Sequence, residues 1–113
     1  MENAKQILDD LRQSSRDLRE QIPGVFEAYG SMSAAVMTDG ALDTKTKELI
    51  ALVVAVTRQC DGCIASPARK AARRGATTEE VAEALGVAIL MNGGPGTVHA
   101  PRALAAFQEF ADK

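Results

Sequence analysis

Ile50-Ala51-Leu52-Val53-Val54-Ala55-Val56-Thr57-Arg58-Gln59-Cys60-Asp61-Gly62-Cys63-Ile64-Ala65-Ser66-Pro67-Ala68 is the stretch on which the architecture turns, because it can be folded in two ways. An apolar, β-branched run followed by two cysteines and a helix is how the thioredoxin fold presents its thiols, and a short apolar run cannot be assigned by periodicity alone. The same run is also the second half of a helix that Asp43 would cap and that ends near Arg58. Context favours the helix. Asp43 opens a segment of about fifteen residues, no second strand pattern is convincing, and nothing after Gly75 alternates with period two. Because Leu49 to Val56 is apolar on every side, this helix is expected at the centre of the subunit, or between the core and a neighbouring subunit.

Working outward, Ala4 to about Arg19 reads as a first helix, with Ala4, Ile7, Leu8, Leu11 and Leu18 on one stripe. Pro23 suits the first turn of a second helix, whose buried face is expected to be Val25, Phe26, Tyr29, Met32, Val36 and Met37. Thr38-Asp39-Gly40 is a turn before the Asp43-capped third helix. A fourth helix ends at Arg73-Arg74-Gly75 with the glycine closing it. Thr77-Thr78-Glu79-Glu80 is a capping box for a fifth, with Val81, Ala84, Leu85, Ala88 and Ile89 facing inward. Asn92 to Gly96 breaks the pattern, and a sixth helix carries Leu104, Phe107 and Phe110. Met32, Met37 and Met91 are expected in the core. With few aromatic residues and abundant alanine, a strong helix former that allows close helix approach, the expected class is all-α with six helices.

A chain of 113 residues is expected to be one domain, 1–113, with no linker or repeat to divide it. Met1 to Glu20 contains no apolar signal region, and no apolar run approaches the roughly 20 residues needed to span a bilayer. A cytoplasmic protein with no membrane partner is therefore expected. A net charge of −2 with mixed signs throughout argues against nucleic acid as partner, which needs a clustered basic face. Arg69, Lys70, Arg73 and Arg74 do cluster, but at a helix end where cations complement the dipole.

Cys60 and Cys63 are the only cysteines. Two thiols three apart can close a disulfide and reopen it, and a helix N-terminus favours the thiolate of one. An inert apolar pair and half of a zinc site are the other readings. One Cys-x-x-Cys with the single His99 cannot complete a Cys₂His₂ or Cys₄ set, so no metal or other cofactor is expected. In a reducing compartment the pair is expected to be catalytic or redox-sensing.

Leu42-Asp43-Thr44-Lys45-Thr46-Lys47-Glu48-Leu49-Ile50-Ala51-Leu52, then Cys60-Asp61-Gly62-Cys63-Ile64-Ala65, then Arg73-Arg74-Gly75-Ala76-Thr77 resembles the carboxymuconolactone decarboxylase family, in its alkylhydroperoxidase D-like branch. The resemblance is strong over roughly residues 42–90 and looser elsewhere. It implies an all-α subunit with the Cys-x-x-Cys at the start of a central helix, assembled as a homo-oligomer, commonly a trimer or hexamer. It also implies a peroxidase or disulfide reductase of antioxidant type, with electrons drawn from a dithiol such as a lipoyl group. On the family pattern a glutamate, two cysteines and a histidine four residues past the second cysteine form a proton relay. Glu48, Cys60 and Cys63 fall on the first three positions, and Pro67 falls on the histidine's.

Proline is no base, whereas an imidazole with pKa near 6.5 can take a thiol proton near neutrality. Pro67 also lacks an N–H and crowds the carbonyl of Cys63, so Ser66 is expected to cap a helix that starts at Pro67, with the thiols in the preceding turn. The leading reading is a small thiol oxidoreductase with Cys60, Cys63 and Glu48 as site residues, acting on a peroxide or disulfide. A catalytically weak structural or binding homolog, or a lactone decarboxylase, are the alternatives. His99, after the glycine-rich break, could approach the thiols across a subunit boundary, though a structural or solvated role is the plainer reading. Asn92 to Gly96 is glycine-rich but lacks the Gly-Lys-Ser/Thr of a phosphate loop.

Overall fold

The computed structural model describes residues 3–111, which form helices only: α1 (Ala4–Ser14), α2 (Arg16–Gln21), α3 (Pro23–Val36), α4 (Thr44–Arg58), α5 (Asp61–Arg73), α6 (Thr78–Asn92) and α7 (Gly94–Ala111). The six expected helices are recognisable, the first of them divided in two at Ser15. The hydroxyls of Ser14 and Ser15 both donate to the Leu11 carbonyl, and serine side chains that compete for backbone carbonyls favour such a break.

Local chemistry sets the other boundaries. Asp43 caps α4 by accepting from the Thr46 N–H at 2.8 Å, and Asp39 accepts from the N–H and hydroxyl of Thr44, each at 2.8 Å. These donors hold both carboxyls below the ordinary value. Gly75, at φ +81°, follows the end of α5 in the left-handed region. Thr77 and Glu80 form the reciprocal capping box of α6, and Glu80 also pairs with Lys45 at 2.9 Å, tying α6 to α4. Gly93, at φ +68°, turns the chain directly into α7, so the glycine-rich segment is the elbow and first turn of that helix.

Helix α7 packs on α4, α5 and α6, α4 packs on α5 and α6, and α1 lies across α5 and α7. The core is mostly alanine: Ala65, Ala68 and Ala71 on α5 meet Ala100, Ala103 and Ala106 on α7, with Phe107, Leu52, Ile64, Val56 and Val81 filling the remaining volume. Small side chains let helix axes approach closely, which explains how so few large residues suffice.

Three expectations fail. Helix α5 begins at Asp61, with Cys60 as its N-cap, and runs through Pro67; it does not wait for Pro67. Cys60 satisfies the first turn by accepting the Ile64 N–H on its carbonyl at 2.9 Å. The bond forfeited at Pro67 frees the carbonyl of Cys63, a residue exposed to water, which lowers the cost of a mid-helix proline. Secondly, the apolar face of α3 is not buried. Val25, Tyr29, Met32 and Val36 are each more than half exposed, because α3 packs closely only on α2, while Phe26 lies under the Arg19 guanidinium. Thirdly, Met91 is exposed, as are Leu11 and Leu18. Helix α4 buries Leu52, Ala55 and Val56 but leaves Ile50 and Val54 about half exposed.

Candidate active site

Cys60 and Cys63 are joined as a disulfide at the N-terminus of α5, with Cα atoms 5.1 Å apart. The Cys60 sulfur accepts the Cys63 N–H at 3.2 Å, so it occupies the place that a serine or aspartate oxygen takes at ordinary helix caps. Cys63, one turn in, is the more exposed of the two. A thiolate formed at Cys60 would sit on that N–H and at the positive end of the helix.

Both sulfur-bearing residues line a cavity of about 1050 Å³ between α1, α3, α4 and α5. Its walls are largely apolar, from Leu11, Ala51, Val54 and Met37, and Asp10, Glu48, Lys70 and Arg58 supply charge. Glu48, in the second turn of α4, is itself buried. Burial pushes its carboxyl above the ordinary value, and the cations of Lys70 and Arg74 only partly counter that. Glu48 also lines a second cavity, of about 590 Å³, framed by Lys70, Arg73 and Arg74. It therefore stands between the thiol cavity and a basic mouth, where a carboxyl that gains and loses a proton can exchange it with either side.

The structure thus brings Cys60, Cys63 and Glu48 to one cavity, with Pro67 in its wall. His99 lies elsewhere, on α7, half-buried with Nδ1 enclosed and unpaired among the described residues. Three residues on, Arg102 lies 4.0 Å from Asp61. Lys70 is the member of the site that the sequence reading assigned only to a helix terminus. The signal was present in the spacing: Cys63, Pro67 and Lys70 fall at i, i+4 and i+7, on one face of α5. Lys70 lines the thiol cavity together with Cys63 and Pro67. Among the described residues no three His, Cys, Asp or Glu side chains gather to hold a metal ion.

The carboxymuconolactone decarboxylase family model matches residues 23–106. The chain belongs to that family. A family protein of Legionella pneumophila, solved without ligand, superposes with a TM-score of 0.92 at 40% identity, covering 98% of this chain and 99% of its own. A second family protein, from Thermotoga maritima and considered for a part in antioxidative response, superposes with a TM-score of 0.75 at 30% identity over 91% of each chain. An uncharacterized protein of the cox locus of Paracoccus denitrificans is 45% identical over 85 residues, 75% of this chain and 77% of that protein. Among the described residues, no helix is long and apolar enough to cross a membrane.

Proposed function

We propose that this family member is a thiol oxidoreductase of the alkylhydroperoxidase D-like type, reducing a peroxide or a disulfide through Cys60 and Cys63. The observation that carries the reading is a Cys-x-x-Cys disulfide at a helix N-terminus, opening on a cavity that Glu48, a buried carboxyl raised above its ordinary pKa by burial, also lines. The antioxidative role considered for the Thermotoga relative is in keeping with it.

In the peroxide half-reaction the thiolate of the more exposed Cys63 attacks the distal oxygen. The O–O bond breaks, the alcohol leaves with a proton passed from the Glu48 side, and Cys63 becomes a sulfenic acid. The Cys60 thiolate then attacks that sulfur; the S–S bond forms, the S–O bond breaks, and water leaves with the second proton. An external dithiol such as a lipoyl group returns two electrons and two protons by attacking the Cys63 sulfur, and Cys60 departs as a thiolate onto the Cys63 N–H. Glu48 acts as the proton store and Lys70 as a cation of the same cavity, on a wall where Pro67 offers no base. We further propose that the subunit works as a homo-oligomer, a trimer or hexamer, in a reducing compartment, since much of α3 and one side of α6 expose apolar side chains.

Peroxide consumption coupled to a dithiol reductant tests the reading. Turnover in the parent chain, lost in both Cys63→Ser and Cys60→Ser while the helical fold persists, is the expected result. A parent chain no faster than its Cys63→Ser variant, with both peroxides and model disulfides, would overturn it and favour the structural homolog.

A further inference from the structure

A third cleft, of about 510 Å³, lies between α1, α5 and the end of α7; it shares Arg73 with the basic mouth beside Glu48 and no lining residue with the cavity of the thiols. Its polar wall is cationic: Lys5, Arg69 and Arg73 face one carboxylate, Asp9. That carboxylate is turned to Arg12, at 3.7 Å. Among the described residues, the other acid nearby, Glu109, accepts the backbone N–H groups of Ala4 at 2.6 Å and Lys5 at 3.4 Å, capping α1. Among the described residues, none of Lys5, Arg69 and Arg73 has a carboxylate within 4.0 Å. Arg69 is the member least at ease. Its Nε–H is enclosed and has no acceptor among the described residues, and a buried donor without an acceptor is costly. Burial, together with repulsion from Arg73 and Arg12, holds its pKa below the usual arginine value, with Asp9 only partly countering.

The remaining walls are apolar, from Leu8, Ala72 and the Phe110 ring, above whose centroid the Lys5 ammonium stands at 5.9 Å. A bare inorganic ion would leave those walls unused. The volume is in the usual range for small-molecule sites, about 300–1,000 Å³. We propose that this cleft binds a small amphipathic organic anion, its acid group accepting from Arg69 Nε–H with Arg73 and Lys5 alongside, and its hydrocarbon body lying on Phe110, Leu8 and Ala72. Arginine presents a planar fork matched to carboxylate and phosphate, so the orphaned donor has a defined partner geometry.

The experiment titrates the ¹⁵N-labelled full chain with 3-phenylpropionate and, separately, inorganic phosphate, following the arginine Nε–Hε resonances, with that of Arg69 assigned from Arg69→Gln. The expected result is a saturable shift of the Arg69 resonance by 3-phenylpropionate, weaker binding of phosphate, and a loss of affinity of roughly ten- to a hundred-fold in Arg69→Gln, the worth of a charge-assisted hydrogen bond. Four results overturn the proposal: no saturable shift with either probe; unchanged affinity in Arg69→Gln; phosphate binding as tightly as 3-phenylpropionate, which marks an adventitious ion only; or an Arg69 resonance already hydrogen-bonded before titration and unmoved by it, which marks a cleft filled by the chain's own carboxylates. Should Arg69→Gln lose its helical circular dichroism, Arg73→Gln takes its place; several-fold weaker binding is expected, and unchanged affinity overturns the proposal.

Discussion

At the scale of single residues, the proposed chemistry turns on one buried acid and one proline. Glu48 has a folded-state pKa above its ordinary value of 4.5, mainly because burial strips water from the carboxylate. The folded subunit therefore holds this proton more tightly than the unfolded chain. The stability so contributed is fully present below the ordinary value and is lost as pH rises through the folded one. Glu48→Gln removes the titration. The difference in Tm between Glu48→Gln and the parent should thus shift toward stabilisation between pH 4 and pH 7, as read by scanning calorimetry at both. The same difference at both pH values would mean that Lys70 and Arg74 compensate the buried charge completely. Pro67 sits in the cavity wall without a base or an N–H. Pro67→His should raise peroxide turnover, since a positioned general base is typically worth about 10²–10⁴-fold. Pro67→Ala is the control, because either substitution returns the N–H that can bond the Cys63 carbonyl. If Pro67→His is no faster than Pro67→Ala, with both folded, the absent imidazole is not what limits this protein.

At the scale of elements, the elbow between α6 and α7 holds the glycine with the least room for a side chain. A Cβ on Gly96 would stand 2.9 Å from Ile89 Cα and 3.2 Å from the Ala88 carbonyl oxygen, both backbone atoms that cannot swing aside. Gly96→Ala should cost about 1–3 kcal/mol, as overpacking does. Gly86, within α6, meets nothing within 4 Å, and Gly86→Ala should gain roughly 0.5–1 kcal/mol from reduced backbone entropy. Urea midpoints at constant m-value separate the two; midpoints moving the same way would refute the close contact. This joint also marks how far sequence reasoning reaches. Asp43, Thr77 with Glu80, and Gly75 were legible because a cap or a helix end is decided by hydrogen bonds among a few neighbouring residues. The all-helical class was legible for the same reason, since cap and length outweighed the apolar run at Leu49 to Val56. The thiol pair and Glu48 could be named from the family pattern, but their meeting in one cavity with Lys70 depends on how α4 packs on α5. The start of α5 was misplaced because the proline rule considers a lost bond without the burial of the carbonyl it frees. The face of α3 was read as core because periodicity tells which residues are apolar and not what covers them.

At the scale of the whole molecule, that uncovered face carries the argument. Tyr29 is 68% exposed, Leu90 80% and Met91 77%, on α3 and α6. They are joined by Val25, Met32 and Val36 on α3 and by Val87 on α6, all more than half exposed. Single exposed apolar residues are ordinary, but an apolar helix stripe that only α2 packs against is the surface on which the proposed assembly rests. A second copy of the chain, laid against α3, would supply the cover and close the thiol cavity on the side that Tyr29 and Met37 now line. Light scattering coupled to size exclusion should accordingly give a mass that is a multiple of 11.9 kDa. Met32→Glu places a charge in the middle of the stripe without touching the cysteines or Glu48, and should reduce that mass. Stability should then become dependent on protein concentration, because assembly adds to the fold by mass action. A parent chain that is a monomer at micromolar concentration, with a Tm that does not change on dilution, would show that α3 stands in water with its apolar face bare.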